Sequence, residues 1–177
     1  MPSERSLYRK IQIVLDITKS VAATNIEQLR AEIAGQELPA FVSEQYDQDE
    51  DRFVPRVSER VIRKTLNACR LLELVGEDGR LTPTGREASR RTRFDAVIAQ
   101  QARAFLSQRD VNFRRLNEII RKHLQATPPV LPTSDKLWEA ISTSVTRGIF
   151  TRMLTLLAHC GAAESTQRRI YLRFEVP

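Results

Sequence analysis

The stretch that most constrains this chain runs from residue 55 to residue 93, because its apolar period changes twice there. Val61, Ile62, Thr65, Leu66, Cys69 and Leu72 recur at three- and four-residue steps. That spacing predicts a helix with one buried stripe. Ser58 stands at its start, where a hydroxyl satisfies a free amide of the first turn. The opposite face collects Arg60, Arg63, Lys64, Asn67 and Arg70. Arg and Lys neutralise phosphates, an Arg forks onto guanine and an Asn pairs with adenine. A face built this way suits duplex DNA.

After Leu72 the period shortens. Glu73 to Glu77 and Arg80 to Thr82 flank Asp78-Gly79. An Asp-Gly pair between short alternating runs predicts a two-residue hairpin turn of type I′, which needs positive φ at both positions. Thr82 or Thr84 then caps another helix, with Pro83 suited to its first turn. Cations continue through Arg80, Arg86, Arg90, Arg91 and Arg93, and Arg56 precedes the first helix.

The string Leu81-Thr82-Pro83-Thr84-Gly85-Arg86 resembles the segment that closes the wing in many bacterial and archaeal winged helix-turn-helix proteins. The resemblance covers roughly residues 7 to 93. It implies a mainly α (α+β) fold whose recognition helix starts at Ser58. Its function is left open, because the same unit serves regulators, replication proteins and structural subunits.

Upstream, Leu7, Ile11, Val14, Leu15 and Val21 stripe a helix expected over residues 5–22. Thr24 or Asn25 caps a second, Ile26 to Ile33, which Gly35 ends. Residues 36–56 then carry Glu44, Asp47, Asp49, Glu50 and Asp51, and they are expected to form an exposed acidic loop inserted before the recognition helix. Such a loop is a solvated connection, a flap competing with DNA, or a docking point for a basic partner.

The second half, residues 94–177, repeats the plan loosely as a degenerate winged-helix unit. Phe94, Val97, Ile98, Ala102 and Phe105 stripe one helix. Asp110 caps the next, with Phe113, Leu116, Ile119, Ile120 and Leu124 inside. Ser134 opens a short helix and Thr146 a long one containing Ile149, Phe150, Met153, Leu154, Leu157 and Cys160, ended by Gly161. A hairpin around Ser165-Thr166-Gln167 closes the chain, with Ile170, Leu172 and Phe174 alternating. Arg147, Arg152, Arg168 and Arg169 are its candidate phosphate contacts. Degenerate second units of this kind resemble those of tandem arrays. They also resemble small accessory subunits of ATPase complexes in chromosome maintenance and phage (antiviral) defence.

Catalytic chemistry is hard to find. His123 and His159 lie far apart, and no Cys-x-x-Cys or His-Glu-x-x-His spacing predicts a metal site. No glycine-rich phosphate loop occurs, so no cofactor is expected. Cys69 and Cys160 read as small buried hydrophobes in a reducing cytoplasm. No apolar run is long enough for a membrane span, and residues 1–10 lack the apolar core of a secretion signal. A net charge of +6 favours polyanionic partners. The expected role is a cytoplasmic double-stranded DNA-binding protein, a transcriptional regulator acting as a homodimer. The alternative is a non-catalytic adaptor subunit of a larger ATPase or nuclease complex.

Overall fold

Ser6 opens the first helix, α1 (Leu7–Ser20), by accepting the Arg9 amide on its hydroxyl at 3.2 Å. The helix is a turn shorter than its apolar pattern predicts, and Ile11, Val14 and Leu15 are buried along it. Asn25 caps α2 (Ile26–Gly35) through the Gln28 amide at 2.9 Å, and Leu29 and Ile33 face inward. The structure is a computed structural model and describes residues 6–107, 112–128, 132–143, 145–166 and 169–172. The chain divides into two compact units, Met1–Arg93 and Phe94–Pro177.

The segment expected to be an acidic loop is instead a β-hairpin. A single 3-10 turn, Pro39–Phe41, sinks Phe41 completely into the core. The chain then leaves as β1 (Val42–Asp47) and returns as β2 (Arg52–Val57), antiparallel, with Tyr46 opposite Phe53 and Glu44 opposite Pro55. Residues 42, 46, 53 and 57 are apolar at strand spacing, a signal that the density of acids hides. Asp47 forms the turn by accepting the Asp49 and Glu50 amides at 3.0 and 3.4 Å. The Ser58 amide donates to the Phe41 carbonyl at 2.8 Å, which makes those two a hydrogen-bonded pair. Alternation along the ladder then makes Tyr46–Phe53 and Glu44–Pro55 non-bonded pairs. Pro55 therefore costs the ladder nothing, and the two rings stand where side chains lie closest.

Helix α3 (Glu59–Leu71) follows at once, with the Ser58 hydroxyl accepting the Val61 amide at 3.4 Å. Ile62, Thr65, Leu66, Ala68 and Cys69 are buried, and Val61 only half so. The helix packs on α1, α2 and the 3-10 turn, so the core of this unit lies among those four elements. Fully burying each of Ile11, Leu29, Ile33, Ile62 and Leu72 contributes about 1.5–3 kcal/mol.

Glu73 is not a strand residue. Its backbone is left-handed, with φ at 55°, and it ends α3 as the residue just past the cap. The Leu74 amide bonds the Cys69 carbonyl at 2.8 Å and the Glu73 amide bonds the Arg70 carbonyl at 2.9 Å, the pair of bonds that closes a Schellman end. The following hairpin is reduced to one bridge, Val75 with Leu81. Its turn is not the expected type I′, because Asp78 does not take positive φ and Gly79 alone does, at 71°. The Gly79 amide bonds the Gly76 carbonyl at 3.0 Å, and the Gly76 amide bonds the Arg80 carbonyl at 2.9 Å. That is a three-residue loop closed by a left-handed glycine. Thr82 caps α4 (Pro83–Ala88).

The second unit comprises α5 (Phe94–Ser107), α6 (Asn112–Leu124), α7 (Ser134–Ile141), α8 (Arg147–His159) and the antiparallel strands β3 (Ala163–Thr166) and β4 (Arg169–Leu172). α5 packs on α8 and α6 on α7. Thr133, one residue earlier than expected, caps α7, and Thr146 caps α8. Ile149 and Cys160 are half-buried where the apolar spacing places them inside. α8 ends in the same bonding pattern as α3, with Gly161 at φ 71° in the place of Glu73. Asp110 and Phe174 lie outside the described residues. Among the described residues, no helix is long and apolar enough to cross a membrane.

Candidate nucleic-acid interface

One face of α3 is held in the core, and that leaves the other to solvent. Arg60, Arg63, Lys64 and Asn67 are all exposed at steps of three and four, so they share one side of the helix. Among the described residues, none of these four side chains has a hydrogen-bond or ion-pair partner. The one acid in the first turn, Glu59, pairs with Arg30 of α2 at 3.4 Å, which also pairs with Glu27 at 2.7 Å. The face thus presents three cations and an amide with its nearest acid already held by a neighbouring helix.

The other cations divide by what holds them. Arg80, Arg90 and Arg91 are exposed, and their side chains have no partner among the described residues. Arg56 stands on β2, not on α3, and is ion-paired with Asp47. Arg70 is ion-paired with Glu77 of the turn that follows. Arg86 donates to the Leu81 carbonyl at 2.9 Å, and Arg93 pairs with Glu87 at 2.9 Å. Ser58 is buried and its hydroxyl serves the helix cap. In the second unit, Arg147 pairs with Asp135 at 2.8 Å and Arg152 is half-buried on α8. Arg169 stands opposite Thr166 on β4, and Arg168 lies outside the described residues.

The segment 81–86 locks the geometry after α3. The Thr82 hydroxyl accepts the Gly85 amide at 2.9 Å and donates back to the Glu73 carbonyl. Gly85 lies so close to α3's exit that a Cβ there would fall 1.9 Å from the Leu74 carbonyl oxygen. Gly79 is equally constrained, since a Cβ there would fall 2.5 Å from the Asn25 carbonyl oxygen. The short turn is therefore pinned against the start of α2, and Arg80 is fixed beside it.

Tyr46 and Phe53 are not marked by any motif in the sequence. They are the large apolar side chains most exposed on the hairpin, at 52% and 66%, with ring centroids 5.4 Å apart in an edge-to-face pair. The phenol donates to Asp51, and that bond, with slight desolvation, raises the Tyr46 pKa. The available signal is the four-residue step from Val42 to Tyr46 and from Phe53 to Val57, an even spacing that keeps each pair on one face of a strand.

The thiols are poor nucleophiles. Burial pushes Cys69 up to about 12. Burial, then the nearby Asp95 charge, pushes Cys160 up to about 12 as well. Both stay protonated at neutral pH, where the thiolate is the reactive form. Among the described residues, no group of three or more His, Cys, Asp or Glu side chains is placed to hold a metal ion. Compared with known proteins, the chain matches no family model, no curated protein and no solved structure.

Proposed function

We propose that this protein binds duplex DNA through α3, as a non-catalytic winged helix-turn-helix protein and a transcriptional regulator. The observation that carries the reading is the exposed, unpartnered row Arg60, Arg63, Lys64 and Asn67 on a helix whose other face is locked in the core. A helix of this width enters the major groove, where Arg and Asn read base edges. Arg80, Arg90 and Arg91 take phosphates on either side. In the second unit the element order α6, α7, α8, β3–β4 again suits a winged helix, but Arg147 is already paired, so we assign that unit a lesser part in DNA contact.

The test is a shift assay on Arg60→Ala/Arg63→Ala/Lys64→Ala. All three side chains lie off the buried stripe, so the variant keeps the parent's fold. Losing about 1 kcal/mol per contact lowers duplex affinity by roughly a hundredfold. Six unpaired cations imply a slope of log affinity against log salt on the order of −5 for the parent. Equal binding by variant and parent at low salt would rule out α3 as the reading helix.

A second reading has its own support. The exposed Tyr46–Phe53 pair is a protein-docking feature, as an adaptor subunit of a larger ATPase or nuclease complex would carry. Under it the parent binds DNA weakly and with a flat salt response.

A further inference from the structure

We propose that the β1–β2 hairpin is a dimerisation arm: across a two-fold axis, each hairpin seats its aromatic, acidic surface on the cationic face of α3 in a second copy of this chain.

Two facing chemistries lie side by side in the sequence. Residues 42–57 carry five acids and two arginines, a net −3, so the remainder of this +6 chain carries +9. The hairpin also exposes Tyr46, Phe53 and Pro55. A two-stranded hairpin buries too little of itself to be stable alone, and exposed aromatic pairs of this kind gain from cover. The α3 face offers what would cover it. Guanidinium groups stack on aromatic rings while pairing with carboxylates, and Arg60 and Arg63 are free to do both.

The complementary charges do not meet inside one copy. Asp47 and Glu50 engage the hairpin's own Arg56 and Arg52, and Arg60, Arg63 and Lys64 have no partner among the described residues. The tether explains why. The ladder continues to the Ser58–Phe41 bond, one residue short of α3, so the arm has no slack to fold back on its own helix. Adjacent patches of opposite character that cannot reach each other are self-complementary about a two-fold axis, where each contact is made twice. The inference requires the α3 cations to be unpartnered in one copy. It does not require them to bind DNA, and a duplex that does bind them must displace the arm.

The experiment is sedimentation velocity on the full chain, free of nucleic acid, at about 50 mM and about 500 mM salt, which shortens the screening length severalfold. A concentration-dependent dimer at low salt that dissociates at high salt is expected. Tyr46→Ser/Phe53→Ser then gives a monomer. The decisive arm is a charge swap between two exposed-residue variants, with circular dichroism confirming that both fold. Glu44→Lys/Asp49→Lys/Glu50→Lys makes the hairpin basic, and Arg60→Glu/Arg63→Glu/Lys64→Glu makes α3 acidic. Each alone is monomeric, since both of its contacts repel. Mixed in equal amounts they restore the dimer, since both contacts now attract. A parent that stays monomeric at low salt overturns the proposal. So does a dimer that survives any of the three variants, or a mixture that fails to associate.

Discussion

Gly85 shows how much a single atom decides here. Its missing Cβ would overlap the Leu74 carbonyl oxygen at 1.9 Å, and backbone cannot move aside as a flexible side chain can. Gly85→Ala therefore costs at least about 2 kcal/mol, at the upper end of overpacking. Gly35, at the end of α2, has nothing within 4 Å of the corresponding position. Gly35→Ala should stabilise by about 0.5 kcal/mol, because alanine surrenders less entropy on folding. Urea denaturation of the two variants should give shifts of opposite sign. Two losses of similar size would show that the contact at Leu74 is not what makes Gly85 necessary.

At the scale of elements, α3 and α8 make an internal comparison. Both end in the same pair of backbone bonds, but α8 places Gly161 in the left-handed position and α3 places Glu73. A side chain in that conformation costs roughly 1–2 kcal/mol, and glycine returns about 0.5–1 kcal/mol of that as unfolded-state entropy. Glu73→Gly is expected to raise stability by about 0.5–1 kcal/mol. In a thermal melt that is a rise of a few degrees, since about 1 kcal/mol corresponds to 4–8 °C for a unit of this size. An unchanged or lower melting temperature would mean that the Glu73 side chain stabilises the end of α3 in some way its backbone conformation does not account for.

For the molecule as a whole, the division at Arg93 sets where the proposed DNA binding resides. Arg60, Arg63, Lys64, Arg80, Arg90 and Arg91 all belong to the first unit, which has its own buried core among α1, α2 and α3. Residues 1–93 produced alone should unfold cooperatively and bind a duplex within about threefold of the full chain's Kd, as fluorescence anisotropy would read it. A loss of about tenfold or more would assign part of the binding energy to residues 94–177.

Much of the helical layout was legible without coordinates, because helices are dictated locally. The three-to-four-residue spacing of Ile62, Leu66 and Cys69 and the hydroxyl at Ser58 marked α3, the pair Thr24-Asn25 marked the start of α2, where Asn25 is the cap, and Thr146 marked that of α8. The exposed basic face of α3 follows from the same spacing. What the chain alone did not disclose depends on groups that only folding brings together. Gly79 has no room for a side chain because a Cβ there would meet the Asn25 carbonyl oxygen at 2.5 Å. Glu73 accepts a left-handed backbone because Leu74 must bond back to Cys69. The acid-rich segment pairs as two strands because Val42 and Tyr46 find Val57 and Phe53 across the ladder, a match no composition reveals. Which cations remain free was also decided in three dimensions: Arg56, Arg70 and Arg93 resemble Arg60 and Arg63 in sequence, but tertiary structure brings each of the first three against a carboxylate.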